Sequence, residues 1–329
     1  MKSHSSTITR GAWRWEEPLF WIAIAIAPLA FPNYLPLLSQ ILIIGLFAVS
    51  LDLLVGYAGI VSLGHGAFFG IGAYTAGILM QRGLGEPFLG LILAALVSAC
   101  VGYVISFLLQ KVRGVALLIV TLGVGLLFLE LAIHFKSITG GEDGIQGIDV
   151  WPLFSVFEFD FLGRTSFFYS LLVCGLLYLV VRLIIRSNYG LSIEAIRDNE
   201  RRATAIGTPA IKRLRTLFTI AAAVAGVAGA LYAQTTQFVA LEAISLDRSV
   251  SALVMVTLGG IGTAIGAMIG SAIFMTARDM FATMEPIYWN FWFGCLLFVI
   301  VCLGQDGVLG LIAKITNKIK PRDKMEPTP

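Results

Sequence analysis

Charge is the scarcest property of this 329-residue sequence. Only 13% of its residues are Asp, Glu, Lys or Arg, against about 25% in soluble domains. Hydrophobic residues make up 57%, and the mean hydropathy is +0.87. So few charges cannot cover the water-facing surface of a chain this long, whereas a lipid bilayer does not penalise exposed apolar side chains. The composition therefore excludes an ordinary soluble protein and indicates a single membrane-embedded bundle of helices.

Motifs for nucleotides, metals and soluble-enzyme chemistry are also missing. There is no Gly-x-x-x-x-Gly-Lys-Ser/Thr phosphate loop, and no lysine follows a glycine anywhere. We therefore expect no ATP site and no cofactor in this chain, so that ATP would be bound by partner subunits. His-Glu-x-x-His and Cys-x-x-Cys are absent, and the four cysteines lie in apolar stretches. We expect no catalytic residue, no metal ion and no nucleic-acid partner.

Long apolar runs dominate what is present. A membrane-spanning helix needs about 20 mainly apolar residues. The runs are continuous, not alternating, which favours helices over barrel strands. The candidate spans are residues 18–34, 35–56, 59–81, 87–110, 114–135, 166–186, 210–234, 249–281 and 288–305. The predicted fold is an all-α, polytopic transmembrane bundle over residues 18–305, with tails at 1–17 and 306–329.

The distribution of Lys and Arg predicts the orientation of these spans. Residues 182–215 carry eight basic and three acidic side chains, whereas residues 136–165 carry two basic and five acidic ones. Cytoplasmic loops are enriched in Lys and Arg. We therefore expect the loop 187–209 and both termini in the cytoplasm, and the loop 136–165 outside.

Nine apolar runs would give an odd number of membrane crossings, whereas two cytoplasmic termini require an even number. A glycine-rich break in one run resolves this conflict. The run 249–281 is interrupted at Gly259-Gly260-Ile261-Gly262. If it dips in and returns, the chain has eight spans plus a re-entrant or broken helix pair. Broken helices at membrane depth occur where they line a cavity or are buried in protein. This break is therefore predicted to lie beside a translocation pathway.

Polar groups inside the apolar runs are further candidates, because burying them in a membrane is costly. Glu130 and His134 are four residues apart on one predicted helical face, a spacing that allows them to pair. For Glu130 and His134 two roles stay open: they line the translocation pathway, or they pair with each other or extend to the membrane–water interface for structural reasons. The candidate pathway-lining residues are Asp52, Ser62, His65, Glu130, Gly260 and Gly262.

The charged segment 187–215 predicts a short, stiff helix over about 191–206 between two spans. Gly207 suits the position after its end, where a left-handed conformation is required. Thr208 then fits as N-cap and Pro209 as first residue of the next helix. Such an element is either a docking surface for another protein or a solvated connector. If it docks, the small Ala195 and Ala203 are expected to face the partner's groove.

Several motifs resemble one known family. Residues 190–200 and 205–207 are similar to the coupling loop of branched-chain amino-acid ABC permeases. Matching segments at 52–74, 139–147 and 258–263 occur in the same order. The match is closer to the LivM-type subunit than to the LivH-type subunit, although Ile196 and Thr208-Pro209 depart from the family pattern. The resemblance assigns contact with an ATPase to Glu194, Ala195, Arg197, Asp198, Asn199, Glu200 and Gly207.

That resemblance implies a permease subunit, not an enzyme, of an importer for branched-chain aliphatic amino acids. Its implied partners are a LivH-type permease, two ABC ATPase subunits and a soluble substrate-binding protein. Its implied location is the bacterial plasma (inner) membrane, as a multi-pass protein in the lipid bilayer. Urea, short amides or aromatic acids are alternative substrates for the same class. An ion-coupled carrier using Asp52, Glu130 or His134 and a membrane-embedded enzyme are the rival functions.

The predicted topology can be tested by labelling single cysteines placed at Ser155 and Ser192 in intact cells. An impermeant maleimide should modify position 155 and should reach position 192 only after the membrane is permeabilised. The reverse pattern would invert the orientation and contradict the importer function.

Overall fold

A computed structural model describes residues 16–109, 112, 114–153, 157–159 and 163–284, together with 288, 291, 292, 294, 295 and 298. Both predicted tails, apart from residues 16 and 17, lie outside the described residues, as does Ser155. Most of the predicted span 288–305 lies outside them as well.

Helices form almost all of the described structure. Among the described residues there is no β-strand, only the isolated bridges Ile145–Val239 and Leu153–Phe157. The predicted all-α polytopic fold is thus confirmed. The helices are α1 Glu16–Ala30, α2 Leu35–Asp52, α3 Gly66–Gln81, α4 Pro87–Leu109, α5 Val115–His134, α6 Lys136–Thr139, α7 Arg164–Arg186, α8 Asn188–Ala205, α9 Ala210–Thr236, α10 Leu246–Gly259 and α11 Ala264–Met284.

Six of the described helices are long and apolar enough to cross a membrane: α2 with its flanking turns, α4, α5, α7, α9 and α11. Helix α1 has only 15 residues. The predicted span 59–81 is wrong at its start, because the helix begins at Gly66 and residues 58–65 are not helical. The total of eight crossings stays a prediction.

Contacts between helix ends and between loops place the ends of the helices on two faces of the bundle. The buried Glu17 at the start of α1 pairs with Arg182 near the end of α7, with 2.6 Å between Oε2 and Nη1. On the opposite face, the Ile145 N–H donates to the Val239 carbonyl at 2.8 Å, and the Trp151 N–H donates to the Gly85 carbonyl at 2.9 Å. The first face carries α8, and the second carries the loop after α5. Which of these faces is cytoplasmic stays a prediction.

Helix α9 lies at the centre of the bundle against α2, α3 and α4. Small residues let these backbones approach closely. A β-carbon on Gly72 would lie 2.0 Å from the Gly226 carbonyl oxygen, and one on Gly229 would lie 1.8 Å from the Phe69 carbonyl oxygen. The packing of α3 on α9 thus depends on glycine at these positions. Helix α2 is also almost entirely buried, whereas most of α5 is exposed on this subunit.

The predicted break at 259–262 is confirmed. Helices α10 and α11 form an antiparallel hairpin, in which Gly259 lies against Gly266 and Met255 against Gly270. With 14 residues, α10 is about 21 Å long, which is shorter than the roughly 30 Å hydrocarbon core of a bilayer. The two helices therefore form a broken pair inside the bundle, and its return without a net crossing stays a prediction.

The α3–α9 contact predicts the effect of one added side chain. Gly72→Val would drive its β-carbon into the Gly226 backbone, so we expect destabilisation of at least about 1–3 kcal/mol. Thermal unfolding of the detergent-solubilised protein measures this effect. Gly175→Ala is the matched control, because its β-carbon would meet only the Trp21 ring at 3.7 Å. Equal melting temperatures for the two variants would contradict the packing described.

Candidate coupling and translocation site

Helix α8 is separated from α7 by the extended residue Ser187. The Ser187 hydroxyl accepts a hydrogen bond from the Tyr189 N–H at 3.2 Å and so caps α8. The Tyr189 hydroxyl donates to the Arg213 carbonyl at 2.7 Å, and the Arg213 guanidinium lies 5.1 Å from the centre of the Tyr189 ring. Burial raises the pKa of Tyr189 to about 12, although the charge of Arg213 opposes this. At neutral pH the protonated hydroxyl therefore holds the start of α8 against α9.

A kink divides α8, so the predicted single stiff helix is wrong. Asn199 has φ −160° and ψ 97°, which is an extended conformation inside the helix. Its side-chain oxygen accepts a hydrogen bond from the Arg202 N–H at 3.0 Å. Asparagine competes with the helical backbone in this way, and the contact is that of an N-cap. Asn199 therefore ends one short helix and starts a second.

The end of α8 confirms the predicted role of Gly207, which adopts φ +92°. The Thr208 N–H donates to the Ala203 carbonyl and the Gly207 N–H to the Thr204 carbonyl, both at 3.0 Å. These two bonds form a Schellman motif. The predicted start of the next helix is wrong by one residue, because α9 begins at Ala210 and Pro209 precedes it without a side-chain cap.

The two faces of α8 differ in what they contact. Ile193, Ile196 and Ala203 are buried against the subunit. The expectation that Ala203 faces a partner is therefore wrong, because the kink at Asn199 turns this residue inward. The residues assigned to ATPase contact keep their side chains at least partly exposed: Glu194, Ala195, Arg197, Asp198, Asn199 and Glu200. Leu191 is also exposed on α8.

Arg197 connects α8 to the membrane-embedded bundle. One guanidinium nitrogen donates to the Gly56 carbonyl. The other lies 3.4 Å from Asp198 Oδ1. Gly56 belongs to the π-helical segment Leu53–Tyr57 that follows α2. Carbonyls in such a segment lose their regular α-helical partners, so the Arg197 side chain satisfies one of them.

Asp52 connects the same segment to the hairpin. Its side chain is fully buried, and Oδ1 accepts a hydrogen bond from the Gly262 N–H at 2.8 Å. Gly56 packs directly on this bond, because a β-carbon there would lie 2.4 Å from both the Gly262 nitrogen and Asp52 Oδ1. We call Asp52, Gly56, Arg197 and Gly262 the coupling junction. Residues predicted separately for coupling and for the pathway thus meet in one place.

Glycine is required in the turn of the hairpin. Gly260 and Gly262 adopt φ +116° and +78°, in a region where other residues are strained. The Thr263 hydroxyl donates to the Gly260 carbonyl at 2.7 Å. The turn is therefore compact and presents the Gly262 N–H to Asp52.

Ser62 and His65 lie in the core. The His65 Nε2 is 2.8 Å from the Ser50 hydroxyl, and its ring stacks on Phe47 with 5.5 Å between centroids. The Leu63 N–H donates to the Thr121 hydroxyl at 3.1 Å, which fixes the non-helical segment beside Ser62. Neither residue joins the coupling junction directly.

Glu130 and His134 do not form the ion pair that their spacing allows. Both are exposed residues of α5, and no ion pair joins these two described side chains. An exposed pair contributes only about 0–1 kcal/mol, which is too little to hold two side chains together. Glu130 lies on α5, which packs on α3, α4 and α10.

A cavity of about 400 Å³ lies along the other part of the hairpin. Sequence reasoning missed its charged residues: Arg248 lies just before the predicted run 249–281, and Arg278 lies inside that run but was not singled out. The sequence signal that could have identified the cavity was the presence of Arg248 and Arg278 near the two ends of this run, both on the side of the membrane expected to be outside. The cavity is lined by Ile44, Glu242, Asp247, Arg248, Val250, Ser251, Met255, Phe274, Met275 and Arg278.

Within the described part of the chain, no group of three His, Cys, Asp or Glu side chains is placed to hold a metal ion.

Comparison with known proteins agrees with this architecture. Residues 33–301 match the family described as "Branched-chain amino acid transport system / permease component". The high-affinity branched-chain amino acid transport system permease protein LivM of Salmonella typhimurium is 31% identical, over 80% of this chain and 68% of the relative. LivM of Escherichia coli is 30% identical over the same shares. LivH of Salmonella typhimurium is 26% identical, over 80% of this chain and 90% of the relative.

No solved structure matches the chain. The family match covers most of its length and includes α2 to α11 with the coupling junction, the hairpin and the cavity. The chain therefore belongs to the branched-chain amino acid ABC transporter permease family, as a multi-pass membrane protein.

Proposed function

We propose that this chain is the LivM-type permease subunit of an ATP-driven importer for branched-chain aliphatic amino acids in the bacterial plasma membrane. Its partners would be a LivH-type permease, two ABC ATPase subunits and a soluble substrate-binding protein. The coupling junction is the observation that carries this proposal. It joins an exposed helix on the basic face to an interrupted hairpin inside the bundle.

Docking of an ATPase on α8 is supported by its exposed surface. Leu191 and Ala195 are exposed on one side of the helix, next to charged side chains at its rim. Ile206 and Ile211 are further exposed apolar residues at the end of α8 and the start of α9. Apolar side chains exposed together on a water-facing element are typical of protein interfaces. An ATPase groove that receives α8 would cover them.

Movement of the ATPase subunits would be passed from α8 into the bundle through Arg197. If ATP-driven closure of the ATPases moves α8, its hydrogen bond to Gly56 pulls on the π-helical segment. That segment packs on Gly262, which Asp52 holds by a hydrogen bond. Movement of α8 would therefore displace the turn of the hairpin. No ATP needs to be bound by this chain, because the partner subunits would supply the hydrolysis.

The substrate class is supported by similarity to permeases named for branched-chain amino acids. Uptake of radiolabelled leucine, isoleucine, valine, urea and phenylalanine by the reconstituted complex would test it. Saturable, ATP-dependent uptake of the three aliphatic amino acids is the expected result. If the complex instead prefers urea or phenylalanine, the proposed substrate is wrong, whereas the proposal that the protein belongs to an ATP-driven importer still stands.

We predict that Ala195→Trp abolishes ATP-dependent uptake while the subunit still inserts in the membrane. The indole would obstruct a fitted groove, whereas loss of one exposed ion pair such as Arg197–Asp198 changes the energy by only about 0–1 kcal/mol. Co-purification of the ATPase measures docking, and uptake in proteoliposomes measures coupling. Ala30→Trp, an exposed alanine at the far end of α1, is the control and should transport normally. Wild-type transport by Ala195→Trp would make α8 only a connector.

Substitution of Asp52 separates this proposal from an ion-coupled carrier. Asp52→Asn keeps an oxygen that can accept from the Gly262 N–H, so we expect ATP-dependent transport to continue. Asp52→Leu leaves that N–H without its acceptor, at a cost of about 1–3 kcal/mol, and should impair transport. A carrier that protonates Asp52 would lose transport in both variants. Uptake that persists without the ATPase would also favour the carrier.

A further inference from the structure

We propose that the cavity between α10 and α11 binds the transported amino acid itself, as a zwitterion, on the side of the bundle opposite α8. This inference rests on the proposed function and adds a substrate site to it. The volume of about 400 Å³ lies within the range of about 300–1,000 Å³ found for small-molecule sites.

Arg248 is held in a fixed position at this cavity. Its guanidinium lies 5.4 Å from the centre of the Phe69 ring and 5.3 Å from the centre of the Tyr232 ring. Contacts with two aromatic rings restrict the side chain and leave its planar N–H groups available in one orientation. Such a fork is suited to a carboxylate, which it can bind through two parallel hydrogen bonds.

Glu242 makes only a loose ion pair with Arg248. Arg248 Nη2 is 3.7 Å from Glu242 Oε1, and the Glu242 side chain is 68% exposed. This distance is longer than a direct charge-assisted hydrogen bond of about 2.7–2.9 Å. The carboxylate of an entering amino acid can therefore approach Arg248 while Glu242 turns to its ammonium group.

Two basic and two acidic residues are among the described residues that line the cavity: Arg248, Arg278, Glu242 and Asp247. A solute with a net charge would leave one pair uncompensated, whereas a zwitterion brings one charge of each sign. The rest of the lining includes Ile44, Met255, Phe274 and Met275. These apolar side chains suit the aliphatic part of leucine, isoleucine or valine, and methionine adapts to different shapes.

The position of the two arginines in the cavity also requires an explanation. Arg248 lies in the first turn of α10, and Arg278 lies in the last two turns of α11. Both are on the face that is expected to be outside. Basic residues are disfavoured on that face by the positive-inside rule. Charged side chains within or beside membrane-spanning segments usually mark substrate or ion pathways. A substrate carboxylate would give Arg248 such a role, beside the contacts it already makes.

The test uses the complete importer in proteoliposomes, with L-leucine as the probe. Arg248→Gln removes the fork, and Ser251→Trp fills the cavity without removing a charge. We expect each variant to reduce leucine uptake at least tenfold. The affinity of the complex for its leucine-loaded binding protein should stay within twofold of wild type. Arg82→Gln, an exposed arginine at the end of α3 away from the cavity lining, is the control and should transport normally.

Three results would overturn the inference. Normal uptake by both variants would exclude a substrate site in the cavity. An equal loss of binding-protein affinity and uptake would show that this surface docks the binding protein instead. A wild-type complex that imports no aliphatic amino acid would overturn the proposed function as well as the site, whereas the first two results leave that function standing.

A second measurement keeps all the charged residues of the lining, so that it remains informative even if Arg248→Gln fails to fold. The four native cysteines are replaced by alanine, and a single cysteine is placed at Ser251. The rate at which this cysteine reacts reports access to the cavity. Millimolar L-leucine should slow its reaction with a soluble maleimide at least threefold. The matching 2-oxo acid, which lacks the ammonium group, and 3-methylbutylamine, which lacks the carboxylate, should protect less. Equal reaction rates with and without leucine would contradict binding.

Discussion

Two polar side chains hold together the parts of this structure where regular helix fails. The backbone departs from α-helical geometry at Leu53–Tyr57 and at the turn of the hairpin. Backbone groups released at such places need partners, because lipid offers none. Arg197 supplies a donor to Gly56, and Asp52 supplies an acceptor to Gly262. These two contacts link α2, α8 and the hairpin, in addition to the packing of α2 on α10 and α11 and of α8 on α7 and α9.

The hairpin links this junction to the cavity. The turn after α10 lies against Asp52, while Asp247, Arg248, Val250, Ser251 and Met255 of the same helix line the cavity. A helix of 14 residues with intact backbone hydrogen bonds moves as a rigid element more readily than it bends. Under the proposed function, a displacement imposed at α8 would therefore change the cavity through α10, without a long chain of loosely coupled side chains.

Sequence reasoning succeeded where local chemistry determines the structure. The cap at Gly207 and the break at 259–262 both follow from glycine's access to positive φ. It failed where distant contacts decide. The Asp52–Gly262 bond joins residues 210 positions apart. The non-helical segment at 58–65 is held by Thr121, which accepts from the Leu63 N–H, and the start of α3 is held by Ser249, which accepts from the Gly66 N–H. The kink at Asn199 had a local signal, since asparagine favours N-caps, but the helical pattern around it concealed that signal.

The internal pairing of charges in the cavity also has a consequence for transport. A site that holds its substrate tightly would slow release, because passage requires binding strong enough for entry and weak enough for exit. Here the substrate's carboxylate would replace a contact that Arg248 already makes with Glu242. Only the difference between the two interactions would then contribute to binding. Under the proposed function, a low-affinity site of this kind would select for zwitterions and would leave discrimination among similar side chains to the proposed soluble binding protein.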